Sequence, residues 1–448
     1  MQRLKNSQKN NKLNVEMGYE IVLNGKRILI LSEVFAPEIG SAANRMTNIT
    51  TQLIKLGYKV DIITSEPTYP DKKLYKDKKF FDDERLKFIE KNSKLIRVKT
   101  IEKERTQSFW TRLHIYLSSL MRFISACFLL EGKYDIVITT VPTPFMVIVG
   151  WIAKLKFKSK LIMDIRDLWP ECIKNVGIFR QSKFALKLAY TLERIILKMT
   201  DAIVINSNGF RGYLEKIGYK KKIVFIPNGF TEKEFDLNDS LKRIEKNKKF
   251  TVIYTGMIGM AQNVNCIVKV ANYFRNNKDI EFKIIGTGVL RFKVLELIEH
   301  YKIKNIHVID PMPKKETLEE VAKSHIAIAH LRGDSAFDLV IPGKIIDYMG
   351  VGTPIVAGVS GYTATIVKES QSGVVVEPDD YKDMAIKIKE LYKDRKSLDR
   401  HAYRANKFCN KVFSWEKNIY ELDDLIKGLM KDEVNEEKSV PDGMESLH

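Results

Sequence analysis

Between Pro342 and Gly352 the chain reads Pro-Gly-Lys-Ile-Ile-Asp-Tyr-Met-Gly-Val-Gly. Pro342 and Gly343 punctuate the end of a polar loop, and Lys344 opens a short helix. Positions i, i+3 and i+4 are neighbours on a helix, so Lys344, Asp347 and Tyr348 share one side. The first turn of a helix presents unpaired N–H groups and a partial positive charge, which suit a phosphate. Lys344 adds a full charge there. Asp347, one turn on, can accept hydrogen bonds from a sugar hydroxyl. A cation for phosphate and a carboxylate for ribose, one turn apart, would hold a nucleotide. An ordinary amphipathic helix after a loop has the same spacing, so the rest of the chain has to decide.

A second charged stretch follows the apolar run Lys160 to Ile165 and reads Arg166-Asp167-Leu168-Trp169-Pro170-Glu171. A strand that ends here delivers Asp164, Arg166, Asp167 and Glu171 to the edge where parallel sheets bind their ligands. A surface charge cluster would look the same. Three glycine loops also follow apolar runs: Gly40-Ser41-Ala42-Ala43, Gly256-Met257-Ile258-Gly259 and Gly286-Thr287-Gly288. The first has no large side chain, so a ligand can approach its backbone; a tight turn is the alternative. The third invites a dinucleotide reading, but Arg291 stands where the last glycine belongs, so NAD is set aside. There is no Walker lysine loop, no His-Glu-x-x-His, no Gly-x-Ser-x-Gly and no Asp-x-Asp for a metal-bridged sugar nucleotide. The seven histidines form no ligand cluster. No metal and no cofactor is expected.

The elements that must position these groups alternate. Lys26 to Ser32 reads as a buried strand. A helix follows with Met46, Ile49, Leu53 and Leu56 on one stripe; Gly57 ends it, and Lys59 to Thr64 is the next strand. Such βα units run through both halves, which predicts parallel sheets covered by helices on both faces. Residues 66–92 read as a long charged excursion with little core. Residues 107–130 read as a long helix with apolar residues at helical spacing; core packing and rest on a lipid surface both explain it. Asp236 to Lys249 is charged, without periodicity, and the pattern restarts at Thr251. The fold class is therefore α/β, with two Rossmann-like domains facing across a cleft. The expected order is a flexible lead-in (1–25), a first domain (26–235), a linker (236–249), a second domain (250–410), a final helix (411–430) able to cross back, and a disordered tail (431–448).

Composition agrees. At 448 residues the chain exceeds one ordinary core, and 44% hydrophobic content can fill two. The net charge of +19 favours anionic partners: nucleic acid, anionic lipid or phosphorylated substrates. No aromatic-plus-basic platform supports nucleic acid, so no nucleic-acid partner is expected. Cys127, Cys172, Cys266 and Cys409 are widely spaced, which argues against a disulfide framework or zinc site and fits a reducing cytoplasm. Met1 to Asn14 lacks the apolar core of a secretory signal. No run reaches the ~18–20 uncharged apolar residues of a spanning helix. The expected location is cytoplasmic, peripheral on the inner face of the cell membrane.

Taken in order, Phe35-Ala36-Pro37-Glu38 with its small-residue loop, Asp164 to Pro170, Ile226-Pro227-Asn228-Gly229, Tyr254-Thr255-Gly256, Ile285 to Gly288 and Pro342 to Pro354 resemble the retaining glycosyltransferases of family 4, which have the GT-B fold. The resemblance covers about residues 26 to 430. Asp-Leu-Trp-Pro and Pro-Gly-Lys-Ile-Ile-Asp-Tyr-Met are similar to the branch that builds bacterial O-antigen and capsule, some of which transfer N-acetyl-fucosamine. It implies a hexosyltransferase that moves an N-acetylated amino or deoxyamino sugar from a UDP-sugar to a lipid-diphosphate-linked glycan at an anionic membrane surface. It further implies that Gly40, Ser41, Gly256, Met257, Gly259, Gly286 and Gly288 line the donor, with Ile345 beside them. Lys344 would neutralise the pyrophosphate, Asp347 hold the ribose and the backbone around Met312 read the base. Asp167, with Arg166 and Asp164, would face the acceptor, so Lys344 and Asp167 are the expected catalytic pair. Two departures stand out. The family's first glutamate position is Leu339, with Asp338 as the available substitute. The phosphate-binding arginine after the Tyr-Thr-Gly strand is missing; Gln262 and Asn263 lie nearby. A sugar-nucleotide 2-epimerase and a non-catalytic nucleotide- or lipid-binding partner are the rival readings.

Overall fold

The computed structural model describes residues 25–99, 109–141, 144–171, 183–231, 245–333 and 337–438. The lead-in to residue 24, most of the 236–249 linker, Cys172 and the tail beyond 438 lie outside the described residues.

Short apolar runs become strands buried on both faces. The first sheet is built from β1 (Arg27–Ser32), β2 (Lys59–Ser65), β3 (Leu95–Val98), β4 (Ile136–Val141), β5 (Lys160–Ile165), β6 (Ala202–Ile205) and β7 (Lys222–Phe225). Its order is β3-β2-β1-β4-β5-β6-β7, with every neighbour parallel. The second comprises β8 (Phe250–Thr255), β9 (Ile280–Ile285), β10 (Ile306–Ile309), β11 (Ile326–His330), β12 (Ile355–Gly358) and β13 (Gly373–Val376), in the order β10-β9-β8-β11-β12-β13. In both sheets the order reverses beside the first strand, between β1 and β4 and between β8 and β11. Ligand crevices of open α/β sheets lie beyond the carboxyl ends of the strands at such points.

Alternate side chains of β1 serve two cores. Ile28 and Ile30 meet α1 (Ser41–Lys55) and α2 (Glu84–Asn92) on one face. Leu29 and Leu31 meet α3 (Phe109–Phe128), α4 (Pro144–Phe157), α5 (Lys183–Met199) and α6 (Phe210–Lys216) on the other. The second sheet is covered by α7 (Asn265–Tyr273), α8 (Arg291–His300), α9 (Lys314–Lys323), α10 (Gly343–Gly350), α11 (Gly361–Ser370), α12 (Tyr381–Lys393) and α13 (Arg395–Val412).

The last helix, α14 (Trp415–Lys438), leaves this sheet. Trp415, Ile419, Leu422 and Leu425 join the first core beside Met46 and Ile49. The crossing point is clamped by backbone: Phe230 N donates to Phe413 O at 2.7 Å and Trp415 N to Phe230 O at 2.9 Å. A Cβ at Gly229 would stand 2.4 Å from Phe413 O, so only glycine fits. Among the described residues, no helix is long and apolar enough to cross a membrane.

Three local expectations change. The charged 66–92 excursion contains two short 3₁₀ turns and α2, and it buries Phe80, Leu86 and Ile89. Few apolar residues, well placed, suffice there. Ser41 is not in a loop but begins α1. Residues 431–438 continue α14 rather than start a tail, because Lys and Glu favour helix and no Gly or Pro interrupts them.

Candidate nucleotide site

The second sheet's switch point gathers most of the predicted donor residues. β8 ends at Thr255, and Gly256 then takes φ 117°, a conformation that side chains disfavour. α10 begins beside it. Lys344, in its first turn, lays Nζ over the Tyr254 ring, 3.7 Å from the centroid. A Cβ on Gly256 would come within 3.3 Å of that Nζ. The Lys344 stem is half-buried, but its Nζ is shielded from solvent and has no hydrogen-bond partner. Burial lowers its pKa from 10.5 to about 7, against the pull of Asp347. An ammonium in this position has a ring face and the longer-range pull of Asp347, but no hydrogen-bonded partner among the described residues. It is short of an anion.

Tyr348, the third member of the expected helix side, is buried, and its hydroxyl accepts from Thr255 N at 2.9 Å. It locks α10 to the end of β8. Asp347 is half-exposed and pairs with Lys314 Nζ of α9 at 3.4 Å. Met312 lies in the turn before α9, half-buried, with its carbonyl facing Thr317 Oγ1 at 3.4 Å. Met257 is exposed, and its Sδ accepts from Tyr69 of the first half at 2.9 Å. Gly259 is buried beside the Gln262 side chain.

Other predicted donor residues act one layer back. A Cβ at Gly286 would stand 1.9 Å from Gly256 O, and one at Gly288 2.5 Å from Ile258 O. Both glycines therefore let the β9 loop press on the Gly256 loop, where Gly256 N donates to Ile285 O and Ile258 N to Thr287 O. Ile345 is in the core, and its N–H is spent on Pro342 O at 3.0 Å. Its side chain and N–H are both engaged within the protein.

The first half meets this site from across the cleft. Gly40 adopts φ 143° ahead of α1. Ser41 Oγ accepts from Asn228 Nδ2 at 3.0 Å, and a Cβ on Gly343 would lie 2.8 Å from the same oxygen. Leu339, at the position of the family's first glutamate, turns toward the first core instead. Ser207 Oγ donates to its carbonyl, and a Cβ on Gly209 would meet that oxygen at 2.7 Å. Asp338 lines a polar recess with Arg332, Glu377 and Asp379, and Ser360 donates to its Oδ1.

Of the acceptor-side residues, Asp164 belongs elsewhere. It is 1% exposed and faces Arg45 of α1, itself wholly buried, at 2.6 Å. Arg45 also donates to Ile226 O at 2.8 Å. The pair ties α1, β5 and the turn after β7 together, so Asp164 is structural. Arg166 Nε donates to Thr140 Oγ1 and Val141 O, both at 2.9 Å, which fixes it across the end of β4. Asp167 lines an apolar recess with Leu168, Trp169 and Glu193, and burial raises its pKa against the pull of Arg166. Glu193 accepts from Tyr213 and burial raises its pKa to about 7. Arg45, Tyr69, Glu193 and the Ser207–Leu339 contact escaped the sequence reading. Arg45, Tyr69 and Ser207 meet partners 119, 188 and 132 residues away, Glu193 meets Tyr213 20 residues on, and none carries a local motif.

Two family models match the chain: "Glycosyl transferase 4-like domain" over residues 40–229 and "Glycosyl transferases group 1" over residues 238–408. The chain is 22% identical to WcaI of Escherichia coli (strain K12), whose name carries a provisional assignment as a colanic acid biosynthesis glycosyl transferase. That match spans 90% of this chain and 100% of WcaI. Among solved structures, sucrose-phosphate synthase from Thermosynechococcus elongatus superposes with a TM-score of 0.68 at 14% identity, covering 91% of this chain and 100% of that one. Anabaena HepE in complex with UDP and glucose superposes with a TM-score of 0.64 at 13% identity, covering 89% and 99%. The sheet orders, the crevice between the halves and the two matched models agree: a glycosyl transferase 4-like domain followed by a glycosyl transferases group 1 domain makes this chain a glycosyltransferase-family protein of GT-B fold.

Proposed function

We propose that the protein is a retaining hexosyltransferase that moves a sugar from a UDP-sugar to a lipid-diphosphate-linked glycan during cell-surface polysaccharide synthesis. The observation that carries this is the Lys344 ammonium, shielded from water at a helix N-terminus beside the Gly256 turn, with no hydrogen-bonded anion among the described residues. A pyrophosphate answers both the charge and the unpaired N–H groups. WcaI, named for colanic acid biosynthesis, and HepE, crystallised with UDP and glucose, support the substrate class. The donor sugar is proposed to be an N-acetylated amino or deoxyamino sugar, on the branch resemblance of Asp-Leu-Trp-Pro and the Pro342 stretch. The protein is placed in the cytoplasm, at the inner face of the membrane where such an acceptor resides.

Breaking the sugar–phosphate bond adds negative charge to the departing UDP. Lys344 and the α10 N-terminus stabilise that charge, so a metal is not required. With retention, the acceptor hydroxyl attacks from the side the phosphate leaves. The departing phosphate oxygen takes the acceptor proton, and no strong protein base is needed. Asp167 and Arg166 orient the acceptor. Asp347 releases Lys314 in part to hold the ribose. Calorimetric titration of UDP, with GDP as control, into wild type and Lys344→Ala tests the site: UDP binds wild type and is lost in the variant. Absence of UDP binding to wild type overturns the reading. Transfer from UDP-sugars that stops on adding EDTA overturns its metal-free part.

A further inference from the structure

On one face of the first sheet, α3, α4 and α5 lie side by side over the same core. Their outer surface is apolar and basic. On α5, Phe184 is 78% exposed and Leu188 60%, with Ile195 exposed on the same side. At about 100° per residue these three fall within about 40° of one another. On α3, Leu117, Met121 and Phe128 repeat the same spacing and are likewise exposed. Leu155 is exposed on α4 between them. Isolated exposed apolar residues are ordinary, but two matching stripes on the helices that flank α4 are not.

The charge is as one-sided. The three helices hold two, two and four Lys or Arg residues, and their one acid is Glu193. Glu193 is buried and turned inward to the Tyr213 hydroxyl. On α4, Lys154 is paired with Asp201 at 2.6 Å and Lys156 donates to the carbonyls of Cys127, Phe128 and Leu130, so the charge this face offers rests on α5. Lys187, Arg194 and Lys198 run along one flank of the α5 stripe, about 40–80° from Phe184. The opposite face of the sheet carries α14, with twice as many acids as lysines. Apolar stripes edged by cations fit the boundary between lipid headgroups and acyl chains of an anionic bilayer.

We infer that the α3–α4–α5 face docks on an anionic lipid surface, with α5 as its main contact, through Phe184 and Leu188 in the acyl boundary and Lys187, Arg194 and Lys198 on the headgroups. This rests on the proposed function only for what the surface brings, the lipid-linked acceptor. Docking by this face would turn α14 and its acids away from the membrane.

The test is co-sedimentation of the full chain with vesicles of phosphatidylglycerol and phosphatidylcholine, against pure phosphatidylcholine. Wild type partitions to the anionic vesicles and is released by salt. F184S/L188S and K187E/R194E each weaken partitioning about tenfold or more. Wild type that stays in solution at low salt overturns the inference, as does wild-type partitioning by either variant. A dimer that dissociates in F184S/L188S overturns it by placing a second copy on this face. UDP titration of the same variants separates the two readings: binding unchanged there while vesicle binding falls supports both, and absence of UDP binding to wild type overturns only the proposed function.

Discussion

Arg45 and Lys344 hold similar places in the two halves. Each sits in the first turns of a helix at its sheet's switch point, and each carries its charge out of solvent. Arg45 has Asp164 at 2.6 Å, the Ile226 carbonyl and the Asn228 side chain. Lys344 has the face of Tyr254 and nothing else within hydrogen-bond reach. A buried charge whose partners lie in the chain is structural. A buried charge without one is a candidate position for a ligand's charge. The two halves share an architecture, but in the first the chain supplies the anion, and in the second no described residue places one within hydrogen-bond reach.

The comparison breaks first at Asp164. Asp164→Ala leaves Arg45 buried and unpaired, at a cost of about 3–5 kcal/mol. Urea unfolding measures it, and a loss below about 1 kcal/mol would show that Arg45 finds water. Replacing Arg45 and Asp164 together by Met and Leu costs less than the single change, because no charge is stranded.

Lys344→Met should do the opposite. It removes an orphan ammonium, so the ligand-free protein gains stability at pH 7, on the order of a few kcal/mol. UDP affinity falls by about 100-fold or more, and transfer with it. A variant less stable than wild type would mean that the Tyr254 contact outweighs the desolvation of the charge.

The pH dependence sharpens the same point. The folded pKa of Lys344, about 7, lies below its ordinary 10.5. Between these values the unfolded chain binds the extra proton, so stability rises with pH across that window by up to about 1.4 kcal/mol per unit. Lys344→Met removes that slope. UDP needs the charged form, so its affinity moves the other way and falls about tenfold per unit above pH 7. Affinity independent of pH from 7 to 9 would mean that Lys344 is already charged without ligand.

The smallest effect is expected at Tyr69→Phe, which removes the hydroxyl that reaches Met257 Sδ across the cleft. UDP affinity should change less than about threefold, since a sulfur acceptor contributes little. A larger change would place Tyr69 on the ligand.

The α/β class, the order of elements and the position of the Gly256–Lys344 loop pair were legible because they rest on short-range patterns. Apolar runs of strand length alternate with helical stripes, and glycines mark where strands turn. The same patterns misled where a residue's role depends on what stands opposite. Asp164 lies in a charged motif, but its partner is 119 residues away in sequence. Ile345 follows Lys344 yet turns into the core. Gly286 and Gly288 read as ligand loops and serve as clearance for another loop. The apolar stripe on α3 was visible from its spacing, but the stripe on α5 became significant only when α4 set the two side by side.

By itself the sequence determined which segments form strands and helices, that the sheets are parallel, and that a lysine and an aspartate share one turn after a proline-glycine stop. These follow from the periods of the two backbone conformations and from the limited freedom of Pro and Gly. Tertiary structure alone decided which charges find partners. The strand order brings Arg45 to Asp164 and keeps every carboxylate of the described residues beyond hydrogen-bond reach of the Lys344 Nζ. It also carries α14 back onto the first core. Pairing across that many residues depends on the sheet's topology, which no local period encodes.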